Sequence, residues 1–570
     1  MRIGTCTLIA LLGLAPPVCA QQGTANADFL GYWGAERFAG PLVRGELLLT
    51  RSTTGWTLGA GGMEARGPAN GDSLVITLPG EQGTLRAWNL GGPAPEAFWI
   101  QPPGNIGAYA TPLTLARISP SAWRATITPF DDRMSLYLHI TPDTAGTMRA
   151  VIRNPDFNFG ARWPWFRLTR GDGTVTFVDP VTGRGRFTQP YDSADGSITF
   201  FFSDPIVLRK RSAEQVPGLM PRIGATTYSY RTPMLLGDGW PTRSASAVGM
   251  NDSLLTALVQ RIIATDPDKN DFPAIHSVVV LHRGVLVLDE YFRGYAADQV
   301  HDLRSASKTF TGVMAGIAMA RTHAFTMESS IATLLDAKEM NPDITLAHLL
   351  THRSGLACDD DDEMSPGNED IMQEKSKDWY GHAIALPQLH PAGAHYAYCS
   401  AGINLAGAAI GRATHRWLPR FFAARIAKPM QIDRWAMNLM PDGEGYSGGG
   451  MQLRPRDFLK FGEVFLRGGK WHGRQVVSAE WVDVSTSKHS DVPDGSTDGY
   501  AWHRHTLTAG GRAYETFEAG GNGGQFMIVI PALDLAVAVT AGNYGQYQVW
   551  RRIREEIVPQ YVMAAVGHRG

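Results

Sequence analysis

The spacing of apolar positions changes partway along this chain. From about residue 21 to 215 the period is two. Met134, Leu136, Leu138 and Ile140 alternate with polar neighbours, which buries one face of a strand. Residues 165–168 and 175–178 flank Gly171-Asp172-Gly173, a hairpin signal. Residues 45–50, 73–78 and 198–202 read as further short strands. No helix-length apolar period occurs in this half. The expectation is an all-β N-terminal domain, an antiparallel barrel or sandwich. Its tryptophans, among them Trp33, Trp56, Trp88, Trp99 and Trp123, are read as core filling ahead of a ligand-cavity lining.

Residues 216–249 are rich in Pro, Gly and Ser and read as a linker. Beyond them the pattern mixes. Residues 254–263 show helical spacing behind an N-cap at Asn251 or Asp252. Residues 277–281 and 285–288 flank His282-Arg283-Gly284 as one hairpin, and 526–530 and 535–540 flank Pro531 as another. A final amphipathic helix is expected over 547–562. Residues 250–570 are therefore expected to form an α/β domain, with an antiparallel sheet drawn from both ends and a helical insertion between them.

Length supports this division, because 570 residues exceed one ordinary core. The formal net charge is −2 and 44% of residues are hydrophobic, so no basic excess points to nucleic acid or an anionic membrane. Residues 1–20 read as a secretory signal, with Arg2, an apolar run over 3–14 and Val18-Cys19-Ala20 as the cleavage pattern. That run is too short to span a bilayer. A lipoprotein signal ending at Cys19 is the rival, disfavoured by the bulk of Val18. The expectation is an exported protein, periplasmic or secreted, without a transmembrane segment. Removing the signal leaves two of the four cysteines, Cys358 and Cys399, where disulfides persist. They are a disulfide candidate, with two buried thiols as the alternative.

The candidate chemistry lies in Arg304-Ser305-Ala306-Ser307-Lys308-Thr309-Phe310. Phe310, Val313, Met314, Ile317 and Ala318 fall on one face of a helix. This puts Ser305 at its first turn and Lys308 one turn on, on the same side. A serine hydroxyl needs a base, and burial lowers a lysine pKa toward that use. Free N–H groups at the helix start favour developing negative charge.

Two competitors fail on context. Ser485-Thr486-Ser487-Lys488 has the same spacing but leads into a polar loop. Gly445-Tyr446-Ser447-Gly448-Gly449 matches a nucleophile elbow, yet Pro441-Asp442-Gly443 precedes it and glycines follow, where a strand and a helix are needed. His348 and His352 are read as packing or capping residues, and Asp359 to Glu363 as a solvated lip of a cleft. No metal site and no cofactor are expected.

In this order the motifs resemble the serine β-lactamase and penicillin-binding-protein superfamily. The resemblance rests on Ser305 to Lys308, on Ile344 to Leu356, on Tyr398-Cys399-Ser400-Ala401-Gly402, on Gly448 to Met451 and on Ala519 to Gln525. It covers about residues 233–562 and is nearest the carboxylesterase and aminohexanoate-oligomer hydrolase branch of the class C-like members. It implies that Ser305 is acylated, that Lys308 and Tyr398 handle its proton, that Ser400 stands where many members carry Asn, and that Gly520 and Gly521 line the substrate edge, Gly521 sharing an oxyanion site with Ser305. In the third motif Glu518 replaces the usual cation, which implies neutral or cationic substrates and argues against β-lactams. The implied function is hydrolysis of small esters or amides through an acyl-serine. The alternatives are a catalytically silent binding or sensor protein, or a true β-lactamase or D-amino-acid peptidase.

Overall fold

The computed structural model describes residues 28–566, apart from 39–41, 69–72, 105–106, 131–132, 144, 157–164, 202–204 and 270. The expected signal segment lies outside the described residues.

The N-terminal region is all-β and contains both expected architectures. Eight antiparallel strands, Gly31–Phe38 and then seven from Arg133–Pro142 to Pro205–Arg211, close into a barrel. Alternation sets its inside: Met134, Leu136, Leu138 and Ile140 all point into one apolar cluster with Trp33, Phe166 and Phe177. Trp33, Trp56, Trp88, Trp99 and Trp123 are all buried, as core filling requires.

Between the first and second barrel strands the chain makes a further β layer. A five-stranded sheet packs on the strands Ser73–Thr77, Thr84–Trp88, Glu96–Gly104 and Gly107–Leu113 around Leu47, Trp56, Leu85 and Trp99. The second of these sheets does not stop at its own region. Gly107–Leu113 pairs with Trp435–Leu439, with Ala110 opposite Met437, and the sheet continues through Met451–Leu453 to His301–Asp302. A strand edge of the N-terminal half is thus covered by the half that carries the candidate serine. No periodicity signals such a pairing, because it joins residues more than 300 positions apart in sequence.

Residues 216–249 form a packed strap along the second half. Arg222 and Arg231 both pair with buried Glu290, at 2.6 and 3.0 Å, and Trp240 donates its indole N–H to the Arg456 carbonyl at 3.0 Å. The Pro and Gly content reflects irregular backbone here, held by ion pairs that composition does not reveal.

The C-terminal half has an eight-stranded antiparallel sheet built from both ends, as the pattern predicts: Val278 of Ile275–His282 lies opposite Val539 of Leu535–Ala541. Helix α1 (Asp252–Ile263), capped by the Asn251 side chain, shares one face of the sheet with π-helical turns over Ile553–Met563. The other face packs on α2 (Ser307–Thr322) and on the helix Pro455–Leu466, and α3 (Ser400–Thr414) packs on the far side of α2. Every residue of α2 from Ser307 to Ala318 is buried, not one face alone, because the helix lies between the sheet and the helical insertion. No helix among the described residues is long and apolar enough to cross a membrane.

Candidate active site

Ser305 lies two residues before α2, in a tight turn over Arg304–Ala306. Arg304 holds a left-handed backbone (φ 49°), unusual for a side-chain-bearing residue, and Asp302 fixes the turn by accepting the Arg304 N–H at 2.9 Å. Lys308 then falls beneath the turn. Its Nζ donates to Ser305 Oγ at 3.0 Å and to the Gly448 carbonyl at 2.8 Å, and sits 4.8 Å from the centre of the Tyr398 ring. The structure therefore brings together Ser305, Lys308 and Tyr398, from segments about 90 residues apart in sequence.

The Gly448 loop is held from two sides. Asn404, buried on α3 four residues after Ser400, accepts the Gly448 N–H at 2.9 Å, while Thr311 of α2 donates to the Ser447 carbonyl at 3.0 Å. Ser447 is itself buried and donates to the Ile403 carbonyl at 3.1 Å, so its hydroxyl braces the loop. Lys488 is more than half exposed and pairs with Asp491 at 2.6 Å, so nothing desolvates it.

On the opposite wall, Gly521 ends the strand Arg512–Gly521 against the Ser305 turn. A Cβ there would lie 2.3 Å from the Leu303 carbonyl oxygen and 3.1 Å from the Ala306 nitrogen. Only glycine allows this approach. Gly520 precedes it, 3.5 Å from a ring carbon of His503 measured from its own virtual Cβ.

The electrostatics differ from the sequence expectation at three places. Burial favours the neutral amine of Lys308, but Tyr398, Glu369 and Asp360 favour the ammonium more, and its pKa is raised, not lowered. Burial likewise raises the Tyr398 pKa, with Lys308 pulling the other way. The resting pair is therefore ammonium and phenol.

The acidic run is the second difference. Asp360 turns inward, accepting the Ser400 N–H at 2.8 Å and the Glu369 N–H at 2.9 Å. Burial raises its pKa while Lys308 opposes. Burial also pushes Glu369 up to about 7, Lys308 again opposing. A Cys358–Cys399 disulfide (Cα–Cα 5.4 Å) ties this loop to the start of α3. Acidic composition alone does not distinguish Asp360, which is turned in by that crosslink, from its exposed neighbours.

Glu518 is the third. It does not present a free negative charge to the cleft. It is buried and pairs with Arg554 at 3.0 Å and His505 at 3.5 Å. The basic side chain beside the glycine edge is His503, one strand away, whose Nδ1 lies 2.8 Å from Asp498. Burial would lower the His503 pKa, but Asp498 outweighs it and raises it. Asp498 also accepts the Tyr396 hydroxyl at 3.0 Å. His352, by contrast, accepts the Cys399 N–H at Nδ1 and is pushed by burial down to about 3, so it stays neutral 4.5 Å from the Tyr398 ring. His348 closes a capping box with Thr345.

The structure thus gathers a half-buried serine on a buried lysine, a tyrosine ring over that lysine and a glycine strand edge against the serine turn. The chain belongs to the beta-lactamase family, whose model matches residues 259–555, more than half of its length. It is 23% identical over 249 residues to the 6-aminohexanoate-dimer hydrolase of Paenarthrobacter ureafaciens, an alignment covering 38% of this chain and 59% of that protein. Among solved structures it is similar to a penicillin binding protein from Bacillus halodurans (18% identity, TM-score 0.41, 49% of this chain and 95% of the other). A simvastatin synthase from Aspergillus terreus is another (16% identity, TM-score 0.42, 52% and 94%).

Proposed function

We propose that this chain is an exported serine hydrolase of small esters or amides, with Ser305 as the acylated nucleophile. The observation that carries the reading is the 3.0 Å contact between Ser305 Oγ and a fully buried Lys308 Nζ, beneath Tyr398. One proton must leave the Lys308–Tyr398 pair before it acts as a base; the remaining proton is then shared by amine and phenolate. Ser305 Oγ attacks the carbonyl carbon as its proton passes to that pair. The pair returns it to the departing alcohol or amine, and water repeats the sequence on the acyl-serine. The N–H groups of Ser305 and Gly521 face the developing oxyanion. The Cys358–Cys399 bond supports an oxidising compartment.

Preference for neutral or cationic substrates no longer follows, since Arg554 neutralises Glu518. His503, held by Asp498 and partly exposed beside the glycine edge, offers its ring to an anionic group on the substrate. A fluorophosphonate probe tests the core of the reading. Labelling of the native protein and none of Ser305→Ala supports it; an unlabelled, folded native protein favours a silent binding protein.

A further inference from the structure

The seam between the N-terminal sheets and the hydrolase half holds a cavity of about 420 Å³. Arg86 reaches it from the strand Thr84–Trp88, Arg412 from α3 and Arg416 from just beyond, with Tyr380, Ile384 and Trp417 among its other walls. Its size lies in the range of small-ligand pockets.

Its charges are unbalanced. Among the described residues, neither Arg86, Arg412 nor Arg416 has a carboxylate within 4.0 Å or a side-chain hydrogen bond, and Arg416 Nη1 is buried without a partner. Glu444 is the one carboxylate in the lining, against three guanidiniums. This excess occurs in a chain of formal net charge −2. Arg86 is fixed in place by stacking, 4.5 Å from the Trp417 ring centre and 5.3 Å from that of Trp88, which leaves its N–H edge without an acceptor. Among the described residues the Tyr380 hydroxyl also has no hydrogen-bond partner. Cations at the end of α3 suit the helix dipole, but the backbone N–H groups of His415 and Arg416 already bond its last carbonyls. The buried, unpartnered Arg416 Nη1 beside Leu335, Ile384 and Trp417, with two further guanidiniums at the same cavity, calls for an anion with an apolar body.

We propose that this cavity binds a small organic carboxylate with an apolar tail, its charge met by Arg86, Arg412 and Arg416 and its tail by Leu335, Ile384 and Trp417. This site is separate from Ser305, although structure joins the two. α3 runs from Ser400 to the cavity, and Gly407 of its lining packs so closely on Ser447 that a Cβ would lie 2.3 Å from Ser447 Oγ. Ser447 precedes the Gly448 carbonyl that holds Lys308.

Octanoate and octanamide, titrated into the full chain by calorimetry and followed by tryptophan fluorescence, test the proposal. Octanoate is expected to saturate one site in native and Ser305→Ala protein alike, with octanamide at least about tenfold weaker, because charge-assisted hydrogen bonds are lost. Arg86→Met and Arg412→Met are each expected to weaken octanoate by about tenfold or more. Arg412 is exposed, so its variant keeps the test open if loss of the Arg86 stack impairs folding. Equal affinity for octanamide, unchanged binding in the folded variants, or loss of all octanoate binding once Ser305 is phosphonylated would each overturn it. None of these results bears on Ser305 as nucleophile, which the probe experiment decides separately.

Discussion

Gly521 and Leu303 touch through their backbones: a single methyl added at Gly521 would sit 2.3 Å from the Leu303 carbonyl oxygen. The contact locks the strand edge to the turn that carries Ser305. Gly521→Ala must push the two apart and move the N–H that the proposed mechanism turns toward the oxyanion. Loss of one such donor costs roughly 10²–10³ in kcat. We expect that loss on a p-nitrophenyl ester, with little change in circular dichroism.

Ser305→Ala is expected to lower kcat by about three orders of magnitude or more. Ser447→Ala should leave kcat within a few fold and lower stability by about 1 kcal/mol, through its lost bond to the Ile403 carbonyl. Activity assays with denaturant unfolding separate the two effects. A covalent adduct mapped to Ser447 by mass spectrometry would refute the assignment.

The raised pKa of Lys308 sets the sign of the pH dependence. The pair becomes a base as it loses a proton, so kcat/KM should rise with pH on its acid limb and level off in the alkaline range. Glu369, with a pKa of about 7, gains its charge across neutrality and then favours the ammonium. Glu369→Gln removes that pull. The acid limb of its kcat/KM profile should therefore move to lower pH; movement upward would contradict the charge assignment.

The Cys358–Cys399 bond closes a loop of 41 residues around Asp360 and Tyr398. Its reduction, or Cys358→Ser, is expected to destabilise the protein by about 2–4 kcal/mol. The same change frees the Asp360 loop, so activity should fall before unfolding begins. Thermal melts and rates with and without reductant measure both.

Glu518→Gln removes the buried charge that Arg554 pairs with and leaves it only the half-exposed Glu555, so it should destabilise the protein by about 1–3 kcal/mol, without reversing any preference for substrate charge. His503→Gln should do the opposite. It is expected to lower kcat/KM more for a p-nitrophenyl ester bearing a free carboxylate than for a neutral one, with the gap closing above the raised His503 pKa. Matched substrates across pH provide the check.

Period-two alternation was enough to identify an all-β first half, because a strand with one buried face must alternate. The ordered motifs, Ser305 with Lys308 and Tyr398 with Cys399 behind it, were enough to identify the second half and its candidate nucleophile. Their chemistry requires fixed residue types at short spacing. Local sequence could not reveal what depends on segments far apart. The sheet through Ala110 and Met437, the turning-in of Asp360, the capture of Glu518 by Arg554 and the placing of His503 beside Gly520 are long-range pairings. The direction of the Lys308 pKa belongs with them. Burial by itself lowers it, and only the folded positions of Tyr398, Glu369 and Asp360 turn it upward.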